Sequence, residues 1–236
     1  MVVKKIQNNP EVSITIPIYN EEAGIEETVT NLVKVFEKNK VDYELVLINH
    51  GSFDNTQKIL EKLAKNNKRL NAIYLPKNLG YGGGIMYGFI HSRGNYIGFT
   101  CADEEVSAED VYNIYNTLIK GHYDVSKSRR IDRKDGRFRK LTSFIFNSLI
   151  SIRFGLGLKD INGYPIFMKK ELFPLVKTDE ISYLFNLDFL RKMKNARYKI
   201  IEVPIIHHER KKGKSFMKPS RIFKMAFGFF KYSLKL

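Results

Sequence analysis

Cysteine is almost absent from this chain of 236 residues: Cys101 is the single one. That excludes a disulfide framework and any cysteine-rich zinc site, and makes a reducing, cytoplasmic setting the default expectation. Uncharged apolar runs of about 18 residues are also missing, so no ordinary transmembrane helix is expected. The first ten residues, Met1 to Pro10, have no apolar core of the kind a secretory signal needs. Acidic charge is scarce in one half only. Residues 1–120 carry 13 basic and 15 acidic side chains, whereas residues 121–236 carry 27 basic and 10 acidic. The whole net charge of +15 therefore belongs to the second half, which points to an anionic partner: nucleic acid, anionic lipid or a phosphorylated substrate. Hydrophobic residues at 43% and aromatics at 13% exclude a disordered chain. The length suits one α/β domain or two small ones.

Strand and helix signals alternate through the first half. Val12 to Ile18 is a β-branched strand. Glu21 to Lys38 carries Ile25, Val29, Leu32, Val33 and Phe36 at helical spacing. Strands follow at Tyr43 to Ile48, Ala72 to Leu75 and Tyr96 to Thr100. Between them, Asp54 caps a helix with Ile59, Leu60 and Leu63, and Gly80 to Gly84 turns into a helix reaching about Ser92. A further helix is expected over Ala108 to Lys120, and Lys127 to Lys140 is the expected long basic loop. This alternation builds an α/β fold, a Rossmann-like and mostly parallel sheet with helices on both faces. Ligands bind such sheets outside the carboxyl ends of the strands. The residues standing there are Tyr19-Asn20-Glu21, Asn49-His50-Gly51-Ser52, Lys77-Asn78 and Cys101-Ala102-Asp103-Glu104-Glu105.

The glycine turn does not match a dinucleotide fingerprint, because it follows the third strand and Ile85 stands where the third glycine should be. It either lets backbone approach a ligand or simply makes a tight turn. The acidic loop Asp103-Glu104-Glu105 can hold a divalent cation that neutralises a diphosphate leaving group. It can equally complement the dipole of the helix that follows.

Ile16-Pro17-Ile18-Tyr19-Asn20-Glu21-Glu22, Asn49-His50-Gly51-Ser52-Phe53-Asp54, Asn78-Leu79-Gly80 and Ala102-Asp103 together resemble the family 2 glycosyltransferases, which have the GT-A fold. Tyr123-Asp124-Val125, Ser128-Arg129, Asp160, Glu202-Val203-Pro204 and Arg210-Lys211-Lys212-Gly213-Lys214-Ser215 resemble the polyprenyl-phosphate sugar transferases among them, of the dolichyl-phosphate mannose synthase type. The resemblance covers roughly residues 10–218 and rests on the order and spacing of motifs that are weak singly. It implies that Pro17, Tyr19, Glu21, Asn49, Ser52, Asn78, Gly80 and Asp103 bind the nucleotide sugar. Asp103 and Glu105 would hold Mg²⁺ or Mn²⁺. Arg129, Arg210, Lys212 and Ser215 would hold the acceptor phosphate. Asp160 would orient these groups, and Asp188 would act as a base only toward a hydroxyl acceptor. A late imidazole, His208, is a lesser metal candidate. Four departures stand out: Asn49 and His50 replace two aspartates, Cys101 replaces the first aspartate of Asp-x-Asp, Gly163-Tyr164-Pro165-Ile166 replaces Ser-Gly-Phe-Arg, and Asn186-Leu187-Asp188 replaces Asp-x-Glu.

A phosphate acceptor is already anionic and needs no base; it needs positive charge to meet a second phosphate-bearing reactant. The arginines and lysines of the second half supply that, and no nucleic-acid motif accompanies them. In 220–236, Arg221, Lys224, Gly228, Lys231 and Lys235 form a helical stripe opposite Ile222, Phe223, Met225, Phe227, Phe229, Phe230 and Leu234. Such a helix, about 25 Å long, is too short and charged to span but suits the membrane interface. Leu141 to Phe154 is a second apolar helix lying alongside it. The expected organisation is a GT-A domain over 1–219 and a basic amphipathic helix over 220–236. The expected activity is inverting transfer of a sugar from a nucleotide donor to polyprenyl phosphate, for envelope glycan synthesis, by a protein peripheral on the inner membrane face. Transfer to a saccharide hydroxyl and a catalytically impaired binding protein are the alternatives.

Overall fold

The computed structural model describes residues 9–131, 147–178, 182, 184–208, 228–229 and 232. Among these, the strands are β1 (Val12–Ile18), β2 (Tyr43–His50), β3 (Leu70–Leu75), β4 (Tyr96–Phe99), β5 (Val125–Ile131), β6 (Ile166–Lys169) and β7 (Ile200–Ile206). They form one sheet in the order β3-β2-β1-β4-β6-β5-β7. β1 pairs in parallel with β2 and β4, and β2 with β3. β6 runs antiparallel between β4 and β5, and β7 closes the far edge in parallel with β5. The chain goes outward from β1 through β2 to β3, then returns to β4 on β1's other side. The ends of β1 and β4 therefore flank a topological switch point, where such sheets open a crevice.

Each face of the sheet has its own core. On one side α1 (Ile25–Lys38), α2 (Thr56–Asn66) and α4 (Ala108–Lys120) cover Ile14, Ile16 and Leu47; on the other, α3 (Gly80–His91), α5 (described over 147–153), α6 (Phe173–Val176) and α7 (Phe185–Asn195) cover Ile97, Phe99 and Met168. Every residue of β2 is buried, as a strand covered on both faces requires. α3 lies almost against the backbone of β1. A Cβ on Gly88 would come within 2.1 Å of Thr15 Cγ2, and one on Gly84 within 3.0 Å of Pro17 Cβ. The glycine run is thus mostly helix, and its chief structural work is close helix–sheet packing.

The strands and helices expected through residue 120 are present, several with shifted ends, whereas the helix expected over Leu141–Phe154 is described only from residue 147. The helix expected from Glu21 begins at Ile25, because Asn20 takes a left-handed φ of 55° and the Glu21 N–H is committed to Thr56 Oγ1 at 2.9 Å. α4 has the expected bounds, fixed by Ser107, whose Oγ accepts the Asp110 N–H at 3.1 Å. One expectation fails: Lys127 does not begin a loop. Lys127 to Ile131 are strand β5, and Lys127 is fully buried, its charge met by Asp160 and Glu202. Residues 132–140, with the remaining loop arginines, lie outside the described residues. So does most of 220–236. Within it, Phe229 and Tyr232 pack on Phe154 at ring distances of 6.1 and 6.0 Å.

Candidate active site

The loops after β1 and β2 are sewn together. Asn20 N–H donates to Ser52 Oγ at 2.9 Å, and Phe53 N–H donates to Asn20 Oδ1 at 3.0 Å. Glu22 and Asp54 exchange similar bonds with the backbone of Asn55 and Glu22. Asp54 Oδ1 accepts the Thr56 N–H at 3.0 Å in a turn ahead of α2, whose N-cap is Asn55 and not the expected Asp54. Asn49, 2% exposed, uses its side-chain oxygen on the Ser52 N–H at 3.2 Å. A carboxylate is not needed for that bond. His50 is also buried, which pulls its imidazole below the usual range and keeps it neutral. Its Nδ1 has no hydrogen-bond partner among the described residues. Gly51 turns the chain at φ 83°, and a Cβ there would press on the Lys77 backbone at 3.0 Å. Asn78 Oδ1 accepts the Gly80 N–H at 2.7 Å and opens α3. Pro17, Tyr19, Glu21, Asn49, Ser52, Asn78 and Gly80 therefore share one rim, at the carboxyl ends of β1, β2 and β3.

The second half of the crevice is acidic. The Tyr164 hydroxyl lies 3.1 Å from Asp103 Oδ2 and 2.9 Å from Glu105 Oε2. His207, just past β7, places Nε2 at 3.1 Å from the same Glu105 oxygen. His208 turns elsewhere and offers its backbone N–H to the Glu105 carbonyl at 2.9 Å. Burial, then the Asp103 charge, push the Tyr164 phenol well up, so it stays a donor. Cys101 is likewise pushed well up, by desolvation first and by Asp103 and Glu105 next. A soft thiol suits a residue outside the ligand set of a hard cation.

Among the described residues no three His, Cys, Asp or Glu side chains enclose a metal position. The donor set still fits a hard divalent cation: two carboxylates joined through one phenol, with an imidazole on the outer oxygen. A cavity of about 350 Å³ touches this loop from outside, between α1 and α4, lined among others by Lys34, Cys101, Glu104 and His208. It includes neither Tyr164 nor Asn49, so it is not the crevice between the two rims.

Beneath Tyr164 lies a buried ionic cluster. Arg130 grips Asp160 with two side-chain hydrogen bonds of 2.8 Å and one backbone N–H at 3.0 Å. Glu202 accepts the N–H groups of Lys159 and Asp160 at 2.8 and 2.9 Å, which fixes the loop carrying Asp160. Lys127 Nζ donates to the carbonyls of Ser128 and Asp160. Burial pulls this lysine down to about 8, against Asp160 and Glu202. Burial alone would raise the Asp160 carboxyl, but the Arg130 bonds and charge hold it well below the usual range. Arg130 is also near enough to Tyr81 and Tyr164 to act on their hydroxyls. Arg129 points elsewhere, with Nε enclosed and no hydrogen-bond partner among the described residues.

Asp188 is also turned into the protein. It takes Arg191 at 3.2 Å, Lys192 at 3.0 Å and the Tyr232 hydroxyl. Burial opposes its charge, but hydrogen bonds from Thr178, Tyr232, Lys192 and Arg191 hold its carboxyl at about 2. Two residues away, Asn186 meets the Tyr81 hydroxyl at 3.3 Å. Arg210, Lys212 and Ser215 lie outside the described residues.

The first-half motifs therefore meet on one rim and Asp103 with Glu105 on the other, whereas Asp160 and Asp188 are structural partners of cations. Sequence reasoning had not singled out Tyr164, His207 and Arg130 as site residues. The only signals were the replaced Ser-Gly-Phe-Arg motif, a histidine pair after a strand and a second arginine after Arg129.

The model of the family described as glycosyl transferase family 2 matches residues 13–174. An undecaprenyl-phosphate 4-deoxy-4-formamido-L-arabinose transferase of Photorhabdus laumondii is 30% identical over 216 residues, 88% of this chain and 64% of that protein. Its namesake in Proteus mirabilis is 34% identical over 151 residues, 64% of this chain and 46% of its own. The chain spans between 46% and 64% of the length of such relatives. Among solved structures, glucosyl-3-phosphoglycerate synthase from Mycobacterium tuberculosis with UDP superposes with a TM-score of 0.72 at 17% identity, over 96% of this chain and 79% of that one. The complex of that synthase with Mn²⁺, UDP and glucosyl-3-phosphoglycerate gives 0.69 at 19% identity, over 91% and 75%. At such identity the likeness speaks for the fold. The family match runs unbroken from β1 through both rims to α6, and the chain belongs to the family 2 glycosyltransferases, with their GT-A fold.

Proposed function

We propose that this chain moves a sugar from a nucleoside-diphosphate donor to a polyprenyl phosphate at a membrane surface, with inversion at the anomeric carbon. The observation that carries the reading is the carboxylate pair Asp103 and Glu105, joined through Tyr164 at the switch point. The named relatives act on undecaprenyl phosphate, and the second half of this chain holds 27 of its basic residues.

Asp103 and Glu105 would hold Mg²⁺ or Mn²⁺, which neutralises charge on a departing diphosphate, with His207 steadying the Glu105 carboxylate. The rim of Pro17, Tyr19, Glu21, Asn49, Ser52, Asn78 and Gly80 would hold the nucleoside. Tyr164 keeps its proton and so donates to whatever oxygen lies between the carboxylates. The acceptor phosphate is the nucleophile and is anionic near neutral pH. Arg210, Lys212 and Ser215 would bring it in, with Arg129 at the end of β5. In one displacement the phosphate oxygen bonds to the anomeric carbon as the bond to the diphosphate breaks.

Asp188 favours this acceptor over a saccharide hydroxyl. Held at about 2 and gripped by cations, it is a poor general base, and a phosphate needs none. Among the described residues no helix is long and apolar enough to cross a membrane. Attachment would be peripheral, on the inner face, through the basic tail 220–236 beyond a catalytic domain of 1–219. A protein that keeps the fold but only binds is the second reading, favoured by Asn49, His50 and Cys101 in place of carboxylates.

The test incubates the full chain with undecaprenyl phosphate in vesicles, Mn²⁺ or Mg²⁺ and a panel of nucleotide sugars. A lipid-linked sugar phosphate that forms only with metal is expected. Transfer to soluble saccharides without lipid would move the acceptor to a hydroxyl. Tight donor binding without any transfer would leave the binding protein.

A further inference from the structure

Phe53 is the most exposed large hydrophobic residue among those described, at 82% of its surface. It is not on a loose loop. Its N–H donates to Asn20 Oδ1 at 3.0 Å, the Ser52 hydroxyl before it accepts the Asn20 N–H, and the turn at Gly51 leaves no room for a Cβ beside the Lys77 backbone. The ring stands edge-on to Tyr19, with centroids 6.2 Å apart and planes at 82°, and Tyr19 in turn stands edge-on to buried His50 at 6.1 Å. Three rings thus step down from solvent into the rim at the carboxyl ends of β1 and β2.

From this geometry we infer that Phe53 stacks on the heteroaromatic base of the donor nucleotide, the Tyr19 ring forming the adjoining wall. The inference rests on the donor reading above and adds to it the residue that holds the base. A rigid apolar ring left in water beside a crevice is a surface for something flat and uncharged. The diphosphate belongs at the other rim, with Asp103 and Glu105, so the base falls on the β2 side. A lipid surface fits this ring less well. Glu22 and Asp54 flank it and would repel anionic headgroups, and residues 1–120 are net acidic. The exposed apolar residues Leu149 and Ile152 are on α5, a different element.

The chain contains no tryptophan, so Phe53→Trp introduces a single tryptophan, excited apart from the tyrosines at long wavelength, at the position in question. UDP, GDP, CDP and ADP are titrated in turn with Mn²⁺ present. Saturable quenching by at least one is expected, while inorganic pyrophosphate and ribose 5-phosphate leave the emission unchanged. By calorimetry, Phe53→Ala should weaken binding of the same nucleotide about tenfold and Phe53→Tyr by less than about twofold, as base–aromatic stacking predicts. Unaltered affinity in Phe53→Ala, with wild-type binding intact, overturns the inference and leaves the donor reading standing. A blue shift with anionic phospholipid vesicles and no response to nucleotides assigns the ring to the membrane and overturns it too. Failure of the wild-type chain to bind any of the four nucleotides would defeat the donor reading first.

Discussion

Removing the Asp160 carboxylate should be among the most damaging single changes in this protein. Arg130 is 11% exposed at its side chain and Asp160 7%, so neither charge can turn to water. Asp160→Ala deletes two side-chain bonds of 2.8 Å and one backbone bond of 3.0 Å while leaving the guanidinium in place. Stranding one partner of a buried pair costs about 3–5 kcal/mol, a large share of a total stability of about 5–15 kcal/mol. Urea unfolding at neutral pH should show that loss. The sign with pH follows from the low carboxyl of the folded state. Its contribution is complete above the unfolded value of about 4 and fades as pH falls toward the folded one. Wild type should therefore have a steeper acid limb than Asp160→Ala. The companion Asp160→Ala/Arg130→Met should recover most of the loss, because the guanidinium is then no longer stranded and Lys127 keeps Glu202. A cost under about 1 kcal/mol, or identical acid limbs, would refute the reasoning.

Asp103→Ala should abolish metal-dependent donor binding, measured by calorimetry, whereas Cys101→Ser should be mild because a soft thiol is a poor ligand for Mg²⁺ or Mn²⁺. Equal damage from both would reassign the ligands. Arg210→Ala should raise the KM for lipid phosphate about tenfold or more and barely move that for nucleotide sugar, the scale of one charge-assisted contact; equal changes would move Arg210 to the donor side. Tyr232→Phe keeps the ring on Phe154 but removes its hydroxyl from Asp188, and should cost about 0.5–1.5 kcal/mol in thermal or urea unfolding. No cost would mean that Thr178, Arg191 and Lys192 satisfy the carboxylate without it.

Local signals carried far in the first half of the chain. β1 is a β-branched run and α4 starts at a serine with an aspartate three residues on, so both were legible to the residue. Lys127 was not. A lysine in a basic stretch reads as solvated, and only the sheet brings Glu202 and the Asp160 loop to it from distant chain positions. The place of β6 was also hidden, since pairing order is not written in any one segment. That concealed Tyr164. Looking just after each strand finds residues at the carboxyl edge of a parallel sheet, but β6 is antiparallel, so the residues at that edge come just before it. Asp188 misled for a different reason: a carboxylate in a helix shows its sign but not the four cationic or hydroxyl partners around it.

The reversed direction of β6 has an architectural result. β5 ends at Ile131 and β6 begins at Ile166, and both of those ends lie at the crevice edge of the sheet. The intervening chain is an excursion that leaves and rejoins the scaffold at one doorway. Its far end is tied to the scaffold, by Asp160 on Arg130 and by Tyr164 on Asp103 and Glu105, so changes in length or composition are tolerated only upstream of those anchors. A lineage built on this plan can vary the stretch upstream of Asp160 and keep both rims. The same doorway is where an engineer would graft.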